Sequence, residues 1–476
     1  MNSNRQIYLL NPQELRPETI AVAFAKTSRS PESFRDIAAE LTDEKSAQFH
    51  EKWVVGYGHS SVAEHAVLHI AIENVSRLAI ETLESNRLAS YTEKSTRYQK
   101  WNPDAYYIPK ELHGSHLEQV YQETCQALFA AYQQALPAVH AVIARGFPQW
   151  DGESEAAWDR RIRVQYVDVC RYLLPASSLA NLGMTANARV LEHAICKLLS
   201  HPLEEVREIG AEIKHVAQQE VPTLVKYAHE VPYLKNAYTA LSEEAPRIQP
   251  AKGPQFSPED WCCLVDYDPA GEETVLAAAL YRFGEIGFSE ALQSVRQASP
   301  AERLRLADIL LAGAGEFDSP LRELEHTTYT FDVMVDQGAY FELKRHRMMT
   351  QSPQMLTTRN GYAVPKKIVE AGLESFYREA MDRAGDAYEK LAGLSPAVGG
   401  YVVPNGYYRR VLLTLNLRNA FHLCSLRSAA NAHFSMRRLA LRMAEQIRGV
   451  HPVLGAYIRV EGGDDWQSVD AQNFVG

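Results

Sequence analysis

At 476 residues, with 46% hydrophobic and 23% charged residues, the chain has a globular composition and length enough for two or three domains. Its formal net charge of −10 argues against bulk nucleic-acid binding, which needs a net basic face. Small anionic ligands stay open, because a few buried arginines oppose the overall sign locally. Six cysteines without a C-x-x-C pair fit a reducing cytosol, so a cytoplasmic location is expected. The N-terminal residues carry no apolar core of signal-peptide length, and no stretch approaches the roughly 18–20 apolar residues that cross a bilayer.

In chain order, the first informative segment is 58–98, GHSSVAEHAVLHIAIENVSRLAIETLESNRLASYTEKSTRY. Glu64-His65 leads into a stretch in which Leu68, Ile70 and Ile72 alternate, a half-buried strand. A helix is expected over 75–84, then a turn at Ser85-Asn86-Arg87 and a loop holding Ser90, Glu93, Ser95, Arg97 and Tyr98. One long helix and a polar connection are expected within 114–163. The segment 237–260, with Pro246, Pro250, Gly253, Pro254 and Pro258, has the composition of a linker. After it, WCCLVDYDPAGEETVLAAALYRF reads as a strand and then a helix.

Segment 318–362, DSPLRELEHTTYTFDVMVDQGAYFELKRHRMMTQSPQMLTTRNGY, repeats the first signature. Glu325-His326 precedes a strand with Tyr329, Phe331, Val333 and Val335 alternating, then a helix over 339–344. The turn is Lys344-Arg345-His346-Arg347, and Arg359 lies in the loop beyond it. A second block also recurs: Pro175, Asn187 and Arg189 align with Pro404, Asn416 and Arg418, each pair 229 residues apart. A repeat of this length means two copies of one domain. The expected division is 1–236, linker 237–260, and 261–476, each copy a small sheet with long helices, mixed α/β (α+β).

Arginines recurring in two motifs suit a phosphate or similar oxyanion, which the guanidinium fork matches bidentately. His59, Glu64 and His65 lack the H-E-x-x-H spacing and have no supporting cysteines, so no metal is expected. No dinucleotide fingerprint, P-loop or nucleophile elbow occurs, which favours chemistry carried by a cofactor.

Together the two blocks resemble the flavin-dependent thymidylate synthases, whose signature runs Arg-His-Arg, two residues, Ser, one residue, Asn, two residues, Ser, one residue, Arg-Tyr. Each copy alone is degenerate. The resemblance implies FAD, dUMP or a related pyrimidine nucleotide, methylenetetrahydrofolate as methylene donor and NADPH as reductant, in a methyl transfer that makes dTMP. It implies no nucleic-acid or membrane partner. Family members are homotetramers with sites between subunits, so a tandem chain is expected to form a homodimer, a pseudo-tetramer of domains.

Residue by residue, the resemblance implies that Arg345 and Arg427 of the second copy bind nucleotide, where the first copy has Ser85 and Leu198. Glu93, Ser95, Arg97 and Arg171 of the first copy complete the site, while Gly400 stands in the second copy where Arg171 stands in the first. The losses are complementary, so one composite nucleotide site is expected, with Arg345, Arg427 and Arg97 acting in catalysis. Flavin contacts are expected at His59, Ser61, Glu64, Asn187 and Arg189, and at Arg345, His346, Arg347, Asn416 and Arg418. One departure stands out: Glu342 lies where the family usually has Gln. Two alternatives follow, a flavoenzyme acting on another pyrimidine nucleotide and a non-catalytic flavin or nucleotide binder.

Overall fold

The computed structural model describes residues 6–28, 30–248, 261–315 and 318–475. The chain divides into two compact units that do not follow the repeat boundary. The first takes Met1–Lys94, Tyr106–Ser115 and Ser177–Gly253; the second takes Ser95–Ala105, His116–Ala176 and Pro254–Gly476. The second unit therefore contains the C-terminal copy and two segments of the N-terminal one.

In the first unit, β1 (Val67–Ser76), β2 (Ala89–Glu93) and β3 (Leu179–Asn187) form an antiparallel sheet in the order β1-β3-β2. Leu68, Ile70 and Ile72 are buried on one face of β1, as their alternation requires. A register shift between Ile72 and Val75 re-aims the end of the strand, with Asn74 at φ 56°. The helix Arg77–Glu84 follows, capped by Ser76, whose hydroxyl accepts from the Ala79 amide.

In the second unit, β4 (Cys262–Tyr267), β5 (Thr328–Asp336), β6 (Thr350–Pro353) and β7 (Tyr408–Asn416) form an antiparallel sheet ordered β4-β5-β7-β6. Strands β5, β6 and β7 repeat the roles of β1, β2 and β3, and β4 is an added edge strand. Tyr329, Phe331, Val333 and Val335 on β5 bury one face, and the helix Phe434–Val450 packs Leu439, Met443 and Ile447 into the same core. The fold is mixed helix with small antiparallel sheets, one per copy.

The segment 114–163 holds the expected long helix and a polar connection, but the connection is short, 147–154. His116–Gly146 is one helix of 31 residues, and a second helix, Glu155–Cys170, begins before the connection was expected to end. His116–Gly146 is apolar enough by length and composition to cross a bilayer. That apolar surface is used inside the protein: Tyr121, Phe129, Tyr132 and Val139 are buried, and the helix packs on Glu374–Ala392. Nearby, Pro175 and Pro404 face each other in an antiparallel bridge, so equivalent residues of the two copies meet. The expected linker also begins as a helix, Pro232–Ile248, with Pro246 in its last turn; 249–260 lie outside the described residues.

Candidate functional site

Four segments of the second unit converge on one carboxylate. The helix Gln337–Leu343 is buried along its whole length and starts at Asp336, whose carboxylate caps the Ala339 amide at 2.7 Å and also accepts from Ser435 Oγ. A helix buried all round has no solvated face for its polar residues, so Glu342 is carried into the interior, 4% exposed.

Arg427 reaches Glu342 from the last turn of the helix Leu417–Ser428, where a cation also suits the helix dipole. Its Nη1 donates to Glu342 Oε2 at 3.1 Å, its Nη2 to the Glu342 carbonyl at 3.2 Å, and its Nε to His346 Nε2 at 2.9 Å. Arg171 follows the helix Glu155–Cys170 and is 2% exposed. Its Nη2 lies 3.4 Å from Glu342 Oε1, and its Nη1 donates to Thr96 Oγ1 at 3.0 Å. Arg97, from the loop after β2, donates to both oxygens of Asp168 at 2.7–3.0 Å and to the Asn431 carbonyl at 3.1 Å. Its Nε is 3.8 Å from Glu342 Oε1. Asp168 also stands 3.6 Å from Arg171 Nε.

Three guanidiniums thus share two carboxylates, and positive charge is left over. Arg345 adds to it, since its charge helps lower the affinity of both His346 and Arg427 for their protons. Burial opposes the Arg97 charge, but the Asp168 hydrogen bonds and the Asp168 and Glu342 charges outweigh it, and Arg97 holds its proton more tightly than usual. Burial first, then Arg427, His422 and Arg345, push His346 down to about 3. It is therefore a neutral imidazole, able to accept from Arg427. His433, fully buried and stacked on Phe434 at 4.1 Å, is also held neutral by burial and by Arg171 and Arg97.

Beside this cluster a cavity of about 810 Å³ is lined by Arg345, His346, Arg347, Arg418, Arg427 and Arg459, among others. Arg418 pairs with Glu325 at 3.0 Å at its edge. A separate cavity of about 750 Å³ in the first unit is lined by His59, Ser61 and Glu64 together with Phe24, Phe49 and Trp53.

The structure brings together Arg97, Arg171, Arg345 and Arg427, the arginines expected in the nucleotide site. Ser95 lies in the same loop, its hydroxyl accepting from the Arg97 amide at 3.2 Å. Glu93, the last residue of β2 in the first unit, forms a buried ion pair with Arg77 at 2.9 Å. Asn187 and Asn416 spend their side chains capping the helices Ala188–Leu199 and Leu417–Ser428, at 3.0 and 2.8 Å. Arg189 pairs with Glu64. Asp168, Thr96 and His433 join the site without a sequence signal, apart from the i,i+3 spacing of Asp168, on the last turn of the helix Glu155–Cys170, and Arg171 at its C-cap.

A family model described as thymidylate synthase complementing protein (Thy1), the flavin-dependent thymidylate synthase family, matches residues 10–223 and again 263–453. The chain belongs to this family. Two matched segments are consistent with a tandem duplication. A UPF0159 protein of Chlamydia muridarum is 33% identical over 437 residues, 88% of this chain and 82% of that relative. A UPF0159 protein of Thermoplasma acidophilum is 28% identical over 467 residues, 89% of this chain and 91% of the relative. A flavin-dependent thymidylate synthase of Clostridium tetani is 28% identical over 218 residues, 44% of this chain and 82% of that enzyme. The two UPF0159 relatives match along most of this chain, whereas the Clostridium tetani enzyme matches less than half of it.

Proposed function

We propose that this chain is a flavin-dependent thymidylate synthase that methylates dUMP to dTMP, using methylenetetrahydrofolate and NADPH. The observation that carries the reading is the convergence of Arg97 and Arg171 from the first copy with Arg427 from the second, inside one unit and next to a basic cavity. Buried guanidiniums that outnumber their carboxylates hold an anion, and in a low-dielectric site they stabilise charge as it develops on a bound pyrimidine. Arg345 lines the cavity, which supports a role towards both the nucleotide and the cofactor.

The cavity lining fits FAD by its donor set. Arg345, Arg347, Arg418 and Arg459 are cations that suit a pyrophosphate, and the roughly 810 Å³ is within the size of ligand pockets. When bound, the flavin supplies hydride chemistry that no side chain offers. Neutral His346 keeps Arg427 oriented by accepting from Nε, and buried His433 adds no competing charge. Asn416 supports the cavity indirectly, by fixing the start of the helix that carries Arg418 and Arg427.

Purified protein is expected to carry or take up FAD, seen as oxidised flavin absorbance and identified by chromatography of the released cofactor. It is expected to convert dUMP to dTMP and to support growth of a thymidine-requiring strain. A colourless protein that fails to take up added FAD contradicts the reading. Flavin binding without turnover of dUMP favours the same chemistry on another pyrimidine nucleotide, to which the acceptor-only Glu342 lends weight.

A further inference from the structure

The arginine cluster of the second unit contains its own anion. Arg97, Arg171 and Arg427 come from three separate segments, and each has a guanidinium nitrogen 3.1–3.8 Å from a Glu342 carboxylate oxygen. Guanidiniums gathered in this way match the oxygens of a phosphate. A carboxylate has two oxygens to offer them, and the fit is incomplete. Arg97 stands at 3.8 Å from Glu342, beyond hydrogen-bonding distance. Arg171 Nε is buried and makes no hydrogen bond among the described residues, the carboxylate of Asp168 standing off at 3.6 Å. A buried donor left without an acceptor carries a cost that a better-shaped anion removes.

We propose that Glu342 is a built-in counter-ion, and that the ligand of this site is a phosphate monoester dianion that binds by displacing it from Arg427 and Arg171. The inference rests on the nucleotide reading above for the identity of the ester, and on the geometry alone for the displacement. Exchange explains selectivity. A monoanion that replaces the Glu342 carboxylate gains no charge, whereas a dianion gains one. An uncharged nucleoside has nothing to displace it with. Arg427 keeps its place when Glu342 withdraws, because His346 Nε2 and the Glu342 carbonyl still hold two of its nitrogens. Arg97 keeps its place through Asp168.

Glu342→Gln keeps the shape and removes the charge. Two measurements test the proposal on the full chain: calorimetric titration with inorganic phosphate and with dUMP, and thermal melting with and without phosphate. The variant is expected to bind phosphate about 10-fold or more tightly than wild type, from the size of a single charge interaction near a protein surface. It is expected to melt lower than wild type without phosphate and to recover with it. Unchanged or weaker phosphate affinity, with a stability loss that phosphate does not restore, overturns the proposal and makes Glu342 a structural strut. If Glu342→Gln does not fold, Glu342→Asp, one methylene shorter, carries the same test: tighter phosphate binding supports displacement and unchanged binding rejects it. Tighter phosphate binding with no dUMP binding by either protein upholds displacement and rejects dUMP as the substrate. Equal dUMP affinity in both proteins rejects displacement and leaves the nucleotide reading standing.

Discussion

The corresponding regions of the two copies have treated charge in opposite ways. In the first unit the turn Ser85-Asn86-Arg87 is held by Lys197, whose Nζ donates to Ser85 Oγ at 2.5 Å and Asn86 Oδ1 at 2.9 Å. Ser85 and Asn86 donate in turn to the Thr82 and Leu83 carbonyls at 2.6 and 2.8 Å. Leu198 is buried where the second copy has Arg427. In the second unit, three guanidiniums share Asp168 and Glu342 with charge to spare. Losing its arginines turned one region into a locally satisfied structural patch. Keeping them required internal carboxylates, since a buried charge without a partner is far more costly than a buried hydrogen bond.

The largest effects should come from breaking buried pairs. Asp168→Asn removes the carboxylate charge that pairs with Arg97 and should destabilise the second unit by about 3–5 kcal/mol, read as a fall in denaturant midpoint. Glu93→Gln should cost a similar amount in the first unit, through Arg77, yet leave nucleotide affinity unchanged. Weakened dUMP binding in that variant would place Glu93 in the nucleotide site after all. A smaller effect is expected at His346, which burial and neighbouring cations push down to about 3. Folded protein holds this ring neutral while the unfolded chain protonates near 6.5, so the unfolded state binds more protons between those values. The contribution is present in full above pH 6.5 and is lost as pH falls towards 3. His346→Gln should flatten that part of the stability profile.

The smallest effect concerns Lys197, which burial pulls down to about 8. Below pH 8 it is charged in both states and the folded state bears the burial cost; that cost fades as pH rises from about 8 to the unfolded value near 10.4. Lys197→Met removes that cost together with the hydrogen bonds to Ser85 and Asn86, so its effect at pH 7 should be within about 1 kcal/mol, and it should abolish the rise in stability that wild type shows above pH 8. Nucleotide affinity should not change. A change there would mean that the first unit keeps a working anion site.

The grouping of Arg97, Arg171, Arg345 and Arg427 was legible because each copy retains what the other has lost, and the alternation in β1 and β5 announced both sheets. The partners of those arginines were less visible. Asp168 is one acid among many on a helix, and only the fold shows it beneath Arg97. Glu342 stood out as a departure, but its grip on three arginines depends on the helix Gln337–Leu343 being buried on every side. Asn187 and Asn416 also cap helices through Oδ1, a role that motif position alone does not reveal. The compact units cut across the repeat: the long helix His116–Gly146, which the sequence assigns to the first copy, groups with the second unit.

The stoichiometry of dUMP binding tests the composite site most directly. Titration calorimetry on wild type should give one site per chain. Arg97→Ala and Arg427→Ala, from different copies, should each weaken that site by about 2–5 kcal/mol, roughly 30-fold to several-thousand-fold. The double mutant should be little worse than either, because residues acting on one ligand are not additive. Two sites per chain in the wild type, or half the stoichiometry at native affinity in either single mutant, would show that each copy holds a site of its own and would contradict the account.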